Sequence, residues 1–176
     1  MGAGILPIAL YRGAIYLLLG QERYNSLWSD FGGSSKKNED TYHTAIREGY
    51  EELNGFLGNQ KDLKFNVDCN LIFPISNEKY TSYLFLTEYN EDLPIYFNNN
   101  NNFIEENCKK DVDNKHNGLF EKKTIDWFTV KHFKNKKNMS NVRIHYREFL
   151  YYIIENEKTI LQKAKKIHKL NYSKNY

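Results

Sequence analysis

A chain of 176 residues, 40% hydrophobic and 15% aromatic, is long enough to bury a core as one domain. Its net charge of +3 permits polyanionic partners without requiring them. Cys69 and Cys108 are too few for a disulfide framework and lack metal-site spacing, so a reducing compartment is expected. The N-terminus has no basic n-region, and Pro7 and Arg12 break its apolar run. Leu6 stands where a myristoylation signal needs Ser or Thr, and the apolar run Ala14 to Leu19 is too short to cross a bilayer. These features lead us to expect a soluble, cytoplasmic protein with no membrane partner.

In chain order, Ile5 to Tyr11 and Ala14 to Leu19 read as strands joined by a hairpin at Arg12-Gly13. A polar loop, Gln21 to Ser26, leads to a short strand from Leu27 to Phe31 and a glycine pair, Gly32-Gly33. A helix should begin near Asp40 or Thr41, both good N-cap types. At ~100° per residue, with Glu48 at 0°, Glu51 falls near ~300° and Glu52 near ~40°. Tyr42, Ile46, Tyr50 and Leu53 fall between roughly 120° and 200°, which predicts a buried face opposite three outward acids. Gly49 lies between the faces, where a missing side chain lets a neighbour approach closely.

After the helix, Phe65 to Ile75 and Tyr80 to Tyr89 read as strands, the second covered on both faces. Residues 98–118, which include the low-complexity tract Asn98 to Asn102, read as a mobile loop or insertion. Glu121 opens the next element, and Ile125 to Val130 reads as a strand, followed by a basic linker, Lys131 to Lys137. A long helix is then expected from an N-cap at Ser140 towards His168, with Val142, Tyr146, Phe149, Leu150, Ile153 and Ile154 packing on the sheet. Residues 171–176 form a tail after a single domain, 1–170. Abundant Asn, Lys, Ile and Tyr point to an AT-rich genome.

Glu48, Glu51 and Glu52 repel one another by a few tenths of a kcal/mol per pair, roughly, when empty. The face is either solvated or holds a hard divalent cation, since Mg²⁺ or Mn²⁺ prefers carboxylate oxygens. The wider spacing favours the cation. Gly33, five residues, Glu39, seven residues, Arg47-Glu48, two residues, Glu51-Glu52 and then a glycine resembles the Nudix box over 23 residues. Two positions depart from it. Asn54 stands where the family has glycine, with Gly55 one later, and Gly49 stands where the family prefers an aliphatic residue, which should weaken packing.

The resemblance implies a Nudix α/β/α sandwich with a mixed sheet, the box helix on one side and a long C-terminal helix. It further implies a pyrophosphohydrolase with Mg²⁺ or Mn²⁺ on Glu48, Glu51 and Glu52 and on the carbonyl of Gly32 or Gly33. Glu51 would be ligand or base, and Arg47 and Glu39 would orient the acids. Many family members take a further acid from outside the box. Glu121 is the first choice, with Glu105, Glu106 and Asp113 as alternatives. His43, His116, His132, His145 and His168 lack ligand spacing and are given no catalytic role.

Whole-chain texture resembles Nudix proteins of large cytoplasmic DNA viruses. Within that group a nucleoside-diphosphate-linked substrate, the mRNA cap or a diphosphoinositol polyphosphate is expected. Lys131 and Lys134 would contact a polyanion, and Trp28 (or Trp127) would stack on a base, against the alternative that both tryptophans are core. A non-enzymatic binding module is the other class, disfavoured by the full set of box acids. No obligate protein partner is evident.

Overall fold

In the computed structural model, which describes residues 1–112 and 118–173, the first two strands are β1 (Gly2–Tyr11) and β2 (Ala14–Glu22). They form an antiparallel hairpin whose turn places Arg12 and Gly13 at positive φ (48° and 79°), the left-handed pair that such a tight turn needs. The hairpin then splays. β1 pairs with β2 only over Ile8 to Tyr11, and over Gly2 to Ile5 its edge is taken by β4 (Phe31–Ser34). β3 (Trp28–Ser29) takes the corresponding stretch of β2, so residues 28–34 wedge between the two long strands with a kink at Asp30. The opening left by this wedge is where the site forms.

β6 (Tyr80–Thr87) runs parallel to β1, β5 (Leu71–Ser76) lies antiparallel outside it, and β7 (Lys122–Thr129) covers the other edge of β2. Side chains alternate across this mixed sheet. Ala3, Ile5, Leu18 and Phe85 face α1 (Thr41–Glu52), α2 (Gln60–Asn70) and α3 (Leu93–Asn107). Leu6, Ile8, Leu17 and Leu84 face α6 (Arg147–Glu155) and α7 (Glu157–Ser173). The architecture is the α/β/α sandwich that the box implies. No described helix is long and apolar enough to cross a membrane.

Four expected elements are corrected. Residues 60–70 are helical, not the start of a strand. Asn59 and Asp62 form a capping box, and Leu63 and Val67 bury one side at i, i+4 spacing while Phe65 stays exposed. The expected loop is largely α3, followed by α4 (Lys109–Val112), with residues 113–117 outside the described residues. Phe97 and Asn101, again four apart, turn inward, and the asparagines bond to β7. Asn98 accepts from the Ile125 N–H (2.9 Å), and Asn101 donates to the Lys122 carbonyl (2.8 Å). Two side chains of a helix thus satisfy a strand edge that would otherwise be open.

The expected C-terminal helix is divided. Lys131 to Lys137 is not a linker but a 3-10 helix (Val130–Lys134) leading into α5 (Lys136–Ser140), and Ser140 ends that helix instead of capping a new one. A 3-10 turn, Ile144–Tyr146, precedes α6, and α6 stops at Asn156. There the Asn156 side chain bonds to the carbonyl of Tyr152, the local competition that disfavours asparagine inside helices.

The box helix lies closer to the sheet than its apolar stripe predicts. Its buried residues are Thr44, Ala45, Ile46, Gly49 and Glu52, a face centred on Gly49. A Cβ on Gly49 would stand 2.4 Å from Ile5 Cδ1, so Ile5 of β1 fills the space that an aliphatic residue would need. Packing there is close, contrary to the expectation of weakness. Gly49→Ala should therefore cost about 1–3 kcal/mol by overpacking. At ~2–4 °C per kcal/mol for this size, thermal melts should show a clear drop, partly recovered by adding Ile5→Val. An unchanged melting temperature would contradict the contact.

Candidate active site

The box begins where β4 leaves the wedge and ends where α1 stops. Asp40 caps α1 by accepting the His43 N–H (2.7 Å), and Asn54 and Gly55, at φ 50° and 73°, turn the chain away. Asn54 tolerates the left-handed geometry and also links distant elements, donating to Asn101 and accepting the Phe120 N–H.

Arg47 is the hub of three half-buried acids. Its Nε and Nη2 grip Glu39 as a fork (2.9 and 2.8 Å), while Nη1 donates to Glu48 (2.8 Å) and Glu51 (3.0 Å). Nη2 also reaches the Ser34 carbonyl, tying α1 to β4. The bond to Arg47 holds the Glu39 carboxyl down to about 2, and the bonds to Glu39 and Glu48 raise the guanidinium above its ordinary value.

Glu48, Glu52, Gly32, Gly33 and Glu121 line one cavity of about 740 Å³. The Glu48 carboxyl lies so close to Gly33 that a Cβ there would meet its oxygens at 2.7 Å, so only glycine lets that carboxylate reach the backbone. Burial raises the Glu48 pKa against the pull of Arg47, and burial with the charge of Glu22 raises that of Glu121. Glu51 does not line the cavity; its carboxylate lies against Gly118 and shares Arg47 Nη1 with Glu48.

Glu52 is not the outward acid expected. Only 2% of it is exposed, because the close seat at Gly49 carries its position under the helix. One oxygen accepts the Gly32 N–H at 2.6 Å, and the other stands 3.4 Å from Lys122 Nζ. Lys122, with no exposure, also donates to Glu22 (2.5 Å) and Ser29 (2.8 Å). Burial works to lower the Lys122 pKa, but Glu52 and Glu22 prevail and raise it; burial likewise opposes ionisation of Glu22, yet Lys122 and Arg143 lower it. Burial dominates at Glu52, whose pKa is raised. Asp30, at the kink, accepts from Ser82 (2.7 Å) and Tyr80 (3.0 Å), and burial pushes it up to about 6.

The other expected contacts fall elsewhere. Lys131 and Lys134 lie in the 3-10 helix that follows β7, beyond the strand end remote from Lys122, and neither lines the cavity. Lys134 pairs there with Glu157 (2.8 Å). Trp28 is half-buried and packs edge-on against Phe128, and Trp127 donates to the Asn90 carbonyl, so both tryptophans serve the core. Glu105 is paired with Arg23, Glu106 is exposed on α3, and Asp113 and His116 lie outside the described residues.

Sequence reasoning missed Lys122, Glu22, Asp30, Arg143, His145 and Lys79. The one signal was a lysine next to Glu121. Its inward turn depends on a register shift between Gln21 and Glu22, which places Lys122 and Ile125 on the interior together.

Comparison with known proteins bears on the fold. No protein-family model and no curated protein matches the chain. Among solved structures, it is similar to a bifunctional NMN adenylyltransferase/ADP ribose pyrophosphatase from Francisella tularensis, complexed with AMP and a Mn ion. Identity is 13% and the TM-score 0.53, over 88% of this chain and 41% of that one. An Ap4A hydrolase of C. elegans is similar at 17% identity and TM-score 0.47, over 87% and 98% of the two chains. The Nudix hydrolase RenU of M. smegmatis is similar at 11% and 0.46, over 90% and 86%. At these identities the likeness concerns the fold, and the chain shares its mixed α/β sandwich with the pyrophosphatase-containing enzyme.

Proposed function

We propose that the protein is a divalent-metal-dependent hydrolase of a pyrophosphate bond, with the reaction in the cavity beneath α1. The observation that carries this reading is that Glu48, Glu52, Glu121 and the Gly32-Gly33 backbone line one cavity. The donors are all oxygen, which suits Mg²⁺ or Mn²⁺. Among the described residues no three acids already stand as a ligand cluster, because Glu48 is turned to Arg47 and Glu52 to Lys122 and Gly32. Glu48 and Glu52 with the Gly33 carbonyl would hold the ion, with Glu51 able to join by leaving Arg47. Bound there, the ion would neutralise phosphate charge and activate water.

The residues themselves have separable tasks. Arg47, clamped by Glu39, holds the Glu48 and Glu51 carboxylates where the helix presents them. Glu121 lines the cavity, with its pKa raised by burial and neighbouring acids, and is the candidate to accept a proton from attacking water. The resemblance to viral Nudix proteins supports a cytoplasmic enzyme and nucleotide-type substrates, the mRNA cap among them. Release of phosphate products in Mg²⁺ from dinucleotides, nucleoside-diphosphate sugars, inositol pyrophosphates and capped RNA tests the reading. Turnover of none of them would overturn it.

Metal binding has its own readout. With the cation at ~100 times its Kd, linkage adds about 2.7 kcal/mol of stability. Millimolar Mg²⁺ or Mn²⁺ should therefore raise the melting temperature of the wild type, and replacement of Glu48, Glu51 and Glu52 with Gln should abolish the increment. A shift that survives the triple change would put the ion elsewhere.

A further inference from the structure

The cavity also has a basic wall. Besides the acids Glu48, Glu52 and Glu121, it is lined by Lys79, on the turn between β5 and β6, and by Arg143 and His145, between α5 and α6. Arg143 is held in place. Its backbone N–H donates to the Trp28 carbonyl (3.0 Å), and its Nη1 donates to Glu22 (2.8 Å), itself fixed by Lys122 and Ser29. A third of the side chain (34%) remains exposed, and among the described residues Glu22 is its sole side-chain hydrogen-bond partner. A guanidinium so fixed has little rotamer freedom left to lose, and its remaining N–H donors suit phosphate oxygens.

The wall is poor in surface for a base. Tyr80 sends its hydroxyl to Asp30 and packs edge-on against Phe149, and His145 is the other ring among the described lining residues. Glu148, the acid on this wall, is engaged by Asn77. Charge and hydrogen bonding, not stacking, dominate recognition here.

We propose that Arg143, with Lys79 and His145 beside it, binds phosphate groups of the substrate beyond the two of the scissile anhydride. The substrate class is then a polyphosphate or polyphosphorylated molecule in which charge continues past the cleaved bond. This rests on the hydrolase reading for the identity of the scissile bond but not for the binding itself.

The test uses the carbon-bridged, uncleavable forms of pyrophosphate and tripolyphosphate, methylenediphosphonate and bis(phosphonomethyl)phosphinate. Each is titrated in Mg²⁺ into wild type, Arg143→Gln, Arg143→Lys and Lys79→Gln, with thermal melts to verify folding. The three-phosphorus probe should bind wild type about tenfold more tightly than the two-phosphorus probe, the worth of one good charge-assisted contact. Arg143→Gln should remove that preference, Arg143→Lys should restore part of it, and Lys79→Gln, on an exposed turn, should reduce it. Equal binding of the two probes by wild type, or an undiminished preference in folded Arg143→Gln, overturns the proposal. Should Arg143→Gln fail to fold, an undiminished preference in Lys79→Gln overturns it. If the preference depends on Arg143 but no pyrophosphate bond is cleaved, the hydrolase reading fails and the phosphate wall stands.

Discussion

Glu52→Gln should lower turnover by a factor on the order of 10² or more, because several kcal/mol of charge stabilisation would pass through a cation held partly by this carboxylate. It should also disturb the fold, unlike the substitution of an outward acid. The Gln oxygen can still accept the Gly32 N–H, but its amide would then face Lys122 Nζ, where the carboxylate now stands at 3.4 Å. Lys122 keeps Glu22 as a partner, so the cost is about 1–3 kcal/mol, below that of orphaning a buried charge. The measurement is kcat at saturating Mg²⁺ on protein shown by circular dichroism to be folded. Near-normal turnover there would remove Glu52 from the reaction.

Lys122→Met should produce the largest loss of stability. It leaves Glu22 and Glu52 facing each other in the interior with Asp30 nearby, and breaking a buried pair in this way costs roughly 3–5 kcal/mol. The melting temperature should fall on the order of 10 °C for a chain of this size. The pH dependence contributed by Glu22 should change sign, and that of Glu52, already raised by burial, should grow. In the wild type the Glu22 pKa is lowered, so its ion pairs contribute stability at neutral pH that disappears as pH falls through its folded pKa. Without Lys122, desolvation of Glu22 outweighs the pull of Arg143 and its folded pKa exceeds the unfolded one, while that of Glu52, already raised by burial, rises further. The variant should then become more stable between pH 7 and pH 5, and adding Glu22→Gln should recover part of the loss at pH 7. A variant that melts like the wild type at pH 7 would show that Lys122 does not carry this balance.

What was legible in the sequence was local. The hairpin at Arg12-Gly13, the N-cap at Asp40, the turn at Asn54-Gly55 and the register of Glu39, Arg47 and Glu48 each depend on residues a few positions apart, where backbone preference and helical spacing suffice. Those residues determined the box helix, and with it the resemblance that implied the α/β/α sandwich and the acid set. The same local reasoning failed where competing short signals met, in α2 with its Asn59–Asp62 capping box and in α3, whose asparagines looked like a loop until β7 supplied their partners.

Only the tertiary structure decided which acids share a cavity and which cation balances them. The angles about α1 put Glu52 among the outward residues, but the seating of Gly49 on Ile5 rotates the buried face and takes Glu52 inside. The wedge of β3 and β4 between β1 and β2 opens the cavity, and a one-residue register shift turns Lys122 into it. Arg143 arrives there from 121 positions beyond Glu22. Residues so far apart in sequence carry no mutual spacing to read, and their chemistry appears only when the sheet brings them to one end.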